Sequence, residues 1–103
     1  MRESRVEAAV NAWAARAGII HLKMRPHVTG YPDDVYLYEG RACFIEFKRP
    51  KSKGEHAAGV LAPIQVYRIN ELRTAGFKVE VIDDASIGIA FLETAILSRG
   101  GGH

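Results

Sequence analysis

Cysteine is nearly missing from this sequence. Cys43 stands alone among 103 residues, so no intramolecular disulfide can form. The histidines show none of the paired spacings of a zinc site, which excludes the small zinc modules. No apolar run approaches the roughly 18 residues that a membrane-spanning helix needs. The opening stretch MRESRVEAAVNAW carries charges of both signs where a secretory leader would be apolar. A lone thiol and these absences lead us to expect a reducing cytoplasm and no membrane. Net charge is small as well, and +2 at pH 7 is too little to argue for a polyanionic partner. There is no internal repeat, low-complexity segment or linker. With 48% hydrophobic and 25% charged residues, the composition is that of an ordinary globular protein. We expect one domain over residues 1–103, with Gly100 to His103 as a flexible tail.

The distribution of charge says more than its sum. KRPKSK, residues 48–53, gathers Lys48, Arg49, Lys51 and Lys53, while Glu80, Asp83 and Asp84 sit together later. Such a loop suits phosphate, although most basic loops are only solvated surface. Around it the pattern predicts alternating elements. Residues 3–17 read as a helix with Val6, Val10, Trp13, Ala14 and Ala17 in one apolar stripe, stopped at Gly18. Residues 19–24 read as a strand ended by Arg25-Pro26, and HVTGYPD as a loop. VYLY and ACFIEFK are β-rich runs joined at Glu39-Gly40-Arg41 in a hairpin. A polar loop follows, then a helix from Pro63 to about Ala75, ending at Gly76. FKVEVID is a fourth strand, and residues 86–98 a closing helix. The expected order is α-β-β-β-α-β-α, an α/β fold with a central mixed sheet flanked by helices.

One strand carries charges out of character. Alternation in ACFIEFK puts Ala42, Phe44, Glu46 and Lys48 on one face, and Cys43, Ile45 and Phe47 on the other. A half-buried acid and base need partners, because an unpaired buried charge costs several kcal/mol. If Glu39-Gly40 is a two-residue turn, Asp33 faces Glu46 with Cβ atoms roughly 4.5–5.5 Å apart. Two carboxylates that close call for a cation between them, and oxygen ligands favour Mg²⁺ or Mn²⁺. A slip of one residue would bring Asp34 to the site instead. Lys48 lies beside such a cation, where it can orient an attacking water or stabilise charge on phosphate. A plain Glu46–Lys48 ion pair at a strand end would leave the same pattern.

GYPDDVYLYEGRACFIEFKRPKS resembles the core of the PD-(D/E)XK nucleases, with Pro32-Asp33 followed by Glu46-Phe47-Lys48 as its E-x-K element. More closely, the chain resembles a stand-alone VRR-NUC domain of the phage and bacterial type. SRVEAAV, LKM, GYPD, FIEFKRP and PIQVYRINELRTAGFKVEVID match in order over about residues 3–84. The resemblance implies a restriction-endonuclease-like fold, with Asp33, Glu46 and the Phe47 carbonyl as ligands of Mg²⁺ or Mn²⁺. It implies Lys48 as the catalytic lysine, with Gln65 and Glu7 completing the site. Asp34 departs from the family, which often has a basic residue there.

Plainer readings stand beside these. Glu7 completes an S-x-x-E capping box with Ser4, and Gln65 suits a first helical turn on propensity alone. Lys23, Arg25, Arg49, Lys51 and Lys53 are the candidates to contact DNA, with solvated surface as the alternative. Trp13 and Tyr67 lie on apolar stripes and read as core. Tyr36 and Tyr38 read as packing, and His21, His27 and His56 as structural or exposed. The resemblance implies an endonuclease hydrolysing DNA phosphodiester bonds, specific for branched DNA or four-way junctions. Symmetric cutting implies a homodimer in the cytoplasm of a bacterial cell or phage-infected host, with no small-molecule cofactor. The competing reading is a non-catalytic DNA-binding or scaffold module on the same fold.

Overall fold

A computed structural model describes residues 3–25, 27–50 and 60–98 of the chain. The elements are α1 (Glu3–Arg16), β1 (Ile20–Lys23), β2 (Asp34–Tyr38), β3 (Arg41–Phe47), α2 (Pro63–Thr74), β4 (Lys78–Ile82) and α3 (Ala85–Leu92). The strands form one mixed sheet in the order β1-β2-β3-β4. The first three pair antiparallel and β4 runs parallel to β3, a connection that requires the crossover through α2. This is the α/β order expected from the pattern. Lys51 and Lys53 of the basic loop, and the tail from Gly100 to His103, lie outside the described residues.

The hairpin between β2 and β3 fixes the register on which the site depends. Glu39 and Gly40 have φ of 47° and 79°, both left-handed, the geometry of a two-residue turn whose twist matches its strands. Val35 then pairs with Phe44 and Leu37 with Ala42, as the two-residue turn requires.

Register and pleat divide the sheet into two faces. Tyr36, Cys43, Ile45 and Phe47 point to one and are buried under α1 and α3. Val6, Val10 and Ala14 recur every fourth residue along α1, and all three are buried there. Gly88 lets α3 approach α1 closely, because an added Cβ would lie 2.8 Å from Val10 Cγ2. Tyr36 donates its hydroxyl to Asn11 Oδ1 at 2.5 Å, so the buried phenol is satisfied. Burial pushes the Cys43 thiol up to about 12, which leaves it an unreactive packing group.

The closing helix runs from Ala85 to Leu97, as expected, with its last turn, Glu93–Leu97, in the wider π geometry. The Thr94 hydroxyl donates to the carbonyls of Ala90 and Phe91 at 3.1 and 3.2 Å, a local competitor to the helical ladder. Tyr67 is no core residue. It is 59% exposed, because α2 fully buries only Ile69 and Tyr67 lies off that face. Trp13, by contrast, packs against the core as expected.

Candidate metal centre

The loop before β2 is clamped onto α2, and that clamp sets the position of Asp33. Tyr31 donates its hydroxyl to Glu71, and the Arg68 guanidinium lies 5.0 Å over the Tyr31 ring. Arg68 also donates to the Thr29 carbonyl at 3.2 Å. Gly30, at φ 101°, sits where a Cβ would meet Ile64 and its carbonyl oxygen within 2.9 Å. Only glycine combines that dihedral with so close an approach. Pro32 is buried, and the Asp33 carbonyl accepts from the Met24 amide at 2.6 Å, so the chain enters β2 already aligned.

Continuing the β2–β3 register one step beyond Asp34 and Ile45 sets Asp33 opposite Glu46. Both line a cleft of about 40 Å³ together with Glu3, Glu7, Lys23, Asp34 and Phe47. Asp33 is exposed and, among the described residues, makes no ion pair or side-chain hydrogen bond. Glu46 is half-buried. Burial raises its carboxyl above the usual range, with Lys48 opposing the rise and Asp33 adding to it.

Lys48 and Gln65 complete this side. The Lys48 amide donates to the Ile82 carbonyl at 2.9 Å, extending the β3–β4 ladder past Phe47. Its Nζ stands 3.7 Å from Glu46 Oε2 and donates to Gln65 Oε1 at 3.3 Å. Gln65 Nε2 donates in turn to Glu46 Oε2 at 3.1 Å, and its Oε1 accepts from the Ala62 amide at 2.8 Å. One amide side chain therefore caps α2 and braces both charged groups of the E-x-K strand. The plain reading of Gln65 as a helix former misses this double use.

The other side of the cleft was less visible in the sequence. Glu7 does not turn back to Ser4, which lies inside α1; its Oε2 accepts from Lys23 Nζ at 2.7 Å. Lys23 also donates to Asp34 Oδ2 at 3.3 Å, and Asp34 Oδ1 is 2.7 Å from His21 Nε2. Asp34 is 2% exposed, the single buried charged residue among those described. Burial, with the Glu7 carboxyl hydrogen-bonded to it, pushes Asp34 up to about 6, although His21 and Lys23 act in the opposite direction. Burial pushes Glu7 up as well, but the Lys23 hydrogen bond and charge outweigh it and the net shift is downward. For Lys23 burial acts downward and the bonded carboxylates prevail, so its ammonium is held above the usual range.

The sequence offered Asp34 only as an alternative to Asp33 and read His21 as structural or exposed; the fold sets the two together beside Glu7 and Lys23. The β1–β2 register places His21 against Tyr36 and Lys23 against Asp34, all on the α1 face. A signal existed in the alternation of His21 and Lys23 in one strand and of Asp34 and Tyr36 in the next. The loop between those strands gives no turn from which to read their register. Of the expected DNA contacts, Lys23 is drawn into this carboxylate cluster, while Arg25 and Arg49 are exposed.

The donors fit a hard divalent cation. Asp33 and Glu46 offer carboxylate oxygens with no thiol nearby, and Phe47 reaches the same cleft from the end of β3. On the α1 side, ligand atoms of Glu7, His21 and Asp34 lie within 4.8 Å of one another. No helix among the described residues is long and apolar enough to cross a membrane.

No protein-family model matches this sequence, and no curated protein does. A solved structure described as a VRR_NUC domain is similar over 88% of this chain and 94% of its own, with 22% identity and a TM-score of 0.69. The chain has the fold of a VRR-NUC domain.

Proposed function

We propose that the protein is a metal-dependent endonuclease that hydrolyses DNA phosphodiester bonds. The observation that carries this reading is the cleft itself. Asp33, Glu46 and Phe47 border it, and Lys48 is braced beside Glu46 by Gln65. A Mg²⁺ or Mn²⁺ ion held by Asp33, Glu46 and the Phe47 carbonyl would supply Lewis-acid polarisation of the scissile phosphate. Lys48 orients the attacking water and stabilises negative charge developing on the phosphate oxygens. Gln65 holds the ammonium in place, which keeps reorganisation small at the moment of reaction. Arg25 and Arg49, with Lys51 and Lys53 of the basic loop, would grip the backbone through phosphate contacts.

The substrate we favour is branched DNA, four-way junctions above all, cut by a homodimer. Cutting two strands symmetrically needs two sites related by a two-fold axis. The sheet face turned away from α1 supports a second copy, since Ile20 and Leu22 stay 57% and 44% exposed beside Leu37. Light scattering should then give about twice the 11.4 kDa chain mass.

The test is cleavage of end-labelled linear, flapped and four-way DNA with Mg²⁺, Mn²⁺ or EDTA. We expect metal-dependent cutting with preference for the four-way substrate. Binding of all three without cutting under either metal would favour the non-catalytic module instead.

A further inference from the structure

We propose that Lys23 is a tethered second cation of the metal centre, and that each chain therefore holds one divalent ion rather than two. This rests on the metal-site reading above. Nucleases and phosphatases with two ions keep them roughly 3.5–4 Å apart, so the second ion needs further carboxylates next to the first. This cleft has them. Besides Asp33 and Glu46 it is lined by Glu3, Glu7 and Asp34, and the α1 side adds His21 behind Asp34. By donor chemistry, Glu7, His21 and Asp34 would make an adequate second site.

The ammonium of Lys23 is already there. Its Nζ is 2.7 Å from Glu7 Oε2 and 3.3 Å from Asp34 Oδ2, the carboxylates a second ion would take. His21 Nε2 occupies the remaining oxygen of Asp34 at 2.7 Å. The backbone holds the arrangement, because Lys23 pairs with Asp34 across β1 and β2 and carries its charge over the α1 face. A permanent cation in that place neutralises the α1-side acids and repels a mobile dication. It leaves Asp33, whose carboxylate makes no ion pair among the described residues, and Glu46 to bind the single ion.

Manganese stoichiometry tests this. Free Mn²⁺ is read by electron paramagnetic resonance during titration into the wild type, Lys23→Met and Lys23→Arg at neutral pH. We expect one Mn²⁺ per chain in the wild type, two in Lys23→Met, and one again in Lys23→Arg. Thermal unfolding adds an independent readout, since Mn²⁺ should raise the Tm of Lys23→Met more than that of the wild type. Two ions in the wild type would overturn the proposal even if no variant folds. One ion in both the wild type and a folded Lys23→Met would overturn it while leaving the metal site intact. No binding to the wild type at millimolar Mn²⁺ would overturn the metal site itself, and this inference with it.

Discussion

The two sides of the cleft use the same residue types to opposite ends. On the α1 side, Glu7, Lys23, Asp34 and His21 are bonded to one another, and the acids there already have their cation. On the α2 side, Glu46 shares Lys48 and Gln65, while Asp33 is exposed and makes no ion pair among the described residues. The difference is one of saturation. A saturated cluster stabilises and orients, whereas an undersaturated pair of carboxylates is poised for something from solution. The proposed chemistry draws on the undersaturated side, so substitutions there should act on rate while those on the other side act on stability.

The largest expected effect is that of Lys48→Ala. Removing one preorganised group that stabilises transition-state charge typically costs roughly 3–4 kcal/mol, on the order of a hundred- to a thousand-fold in rate. DNA affinity should stay within about a few-fold of wild type, since the ammonium is engaged with Glu46 and Gln65. Single-turnover cleavage and a binding titration read the two quantities separately. Asp34→Asn on the saturated side should leave the cleavage rate far less affected. Equal losses for the two variants would erase the distinction between the sides.

Gly30→Ala should come next, acting through the clamp that aims Asp33. An alanine there adds a left-handed dihedral penalty to an overlap with Ile64 and its carbonyl. Together these should cost about 2–4 kcal/mol of stability by denaturant unfolding. Gly18→Ala is the control: φ is 80° but nothing lies within 4 Å of the added Cβ, so roughly 1 kcal/mol is expected. If the two variants unfold alike, the contact between loop and α2 contributes little, and the position of Asp33 has another origin.

What could be read in the sequence follows from how local each signal is. Alternation in ACFIEFK and the tight Glu39-Gly40 turn act over a few residues, and together they set which side chains face Glu46. The stripe Val6, Val10, Ala14 is equally local. The Glu7–Lys23–Asp34–His21 cluster is not, because it needs the placement of α1 over the sheet and the β1–β2 register. Glu7 also satisfied a capping pattern, which offered a self-sufficient explanation for the residue. Tyr67 misled for the converse reason: helical spacing marks a stripe but cannot say that α2 covers so little of the sheet. The π geometry of the last turn, Glu93–Leu97, has no periodic signature at all.

The smallest expected effect tests the saturated side by pH, in EDTA so that no ion intervenes. Asp34 has its carboxyl pushed up to about 6 from an ordinary 3.8, so the folded protein binds that proton more tightly than the unfolded chain. Its contribution is therefore fully present below about pH 4 and is lost as pH rises through about 6. Glu46 is shifted in the same direction and adds to the fall. Glu7 is shifted downward, so its contribution is lost only on the acid side of this window. Wild-type stability should thus drop between pH 5 and 7.5, by on the order of 1 kcal/mol after allowing for screening by His21 and Lys23. Asn at position 34 imitates the neutral carboxyl, and its oxygen can still accept from Lys23. Asp34→Asn should flatten the fall. Urea unfolding at the two pH values measures both slopes. A variant that falls as steeply as wild type would mean that Lys23 and His21 already hold Asp34 ionised, and that the saturated side is a plain salt-bridge cluster.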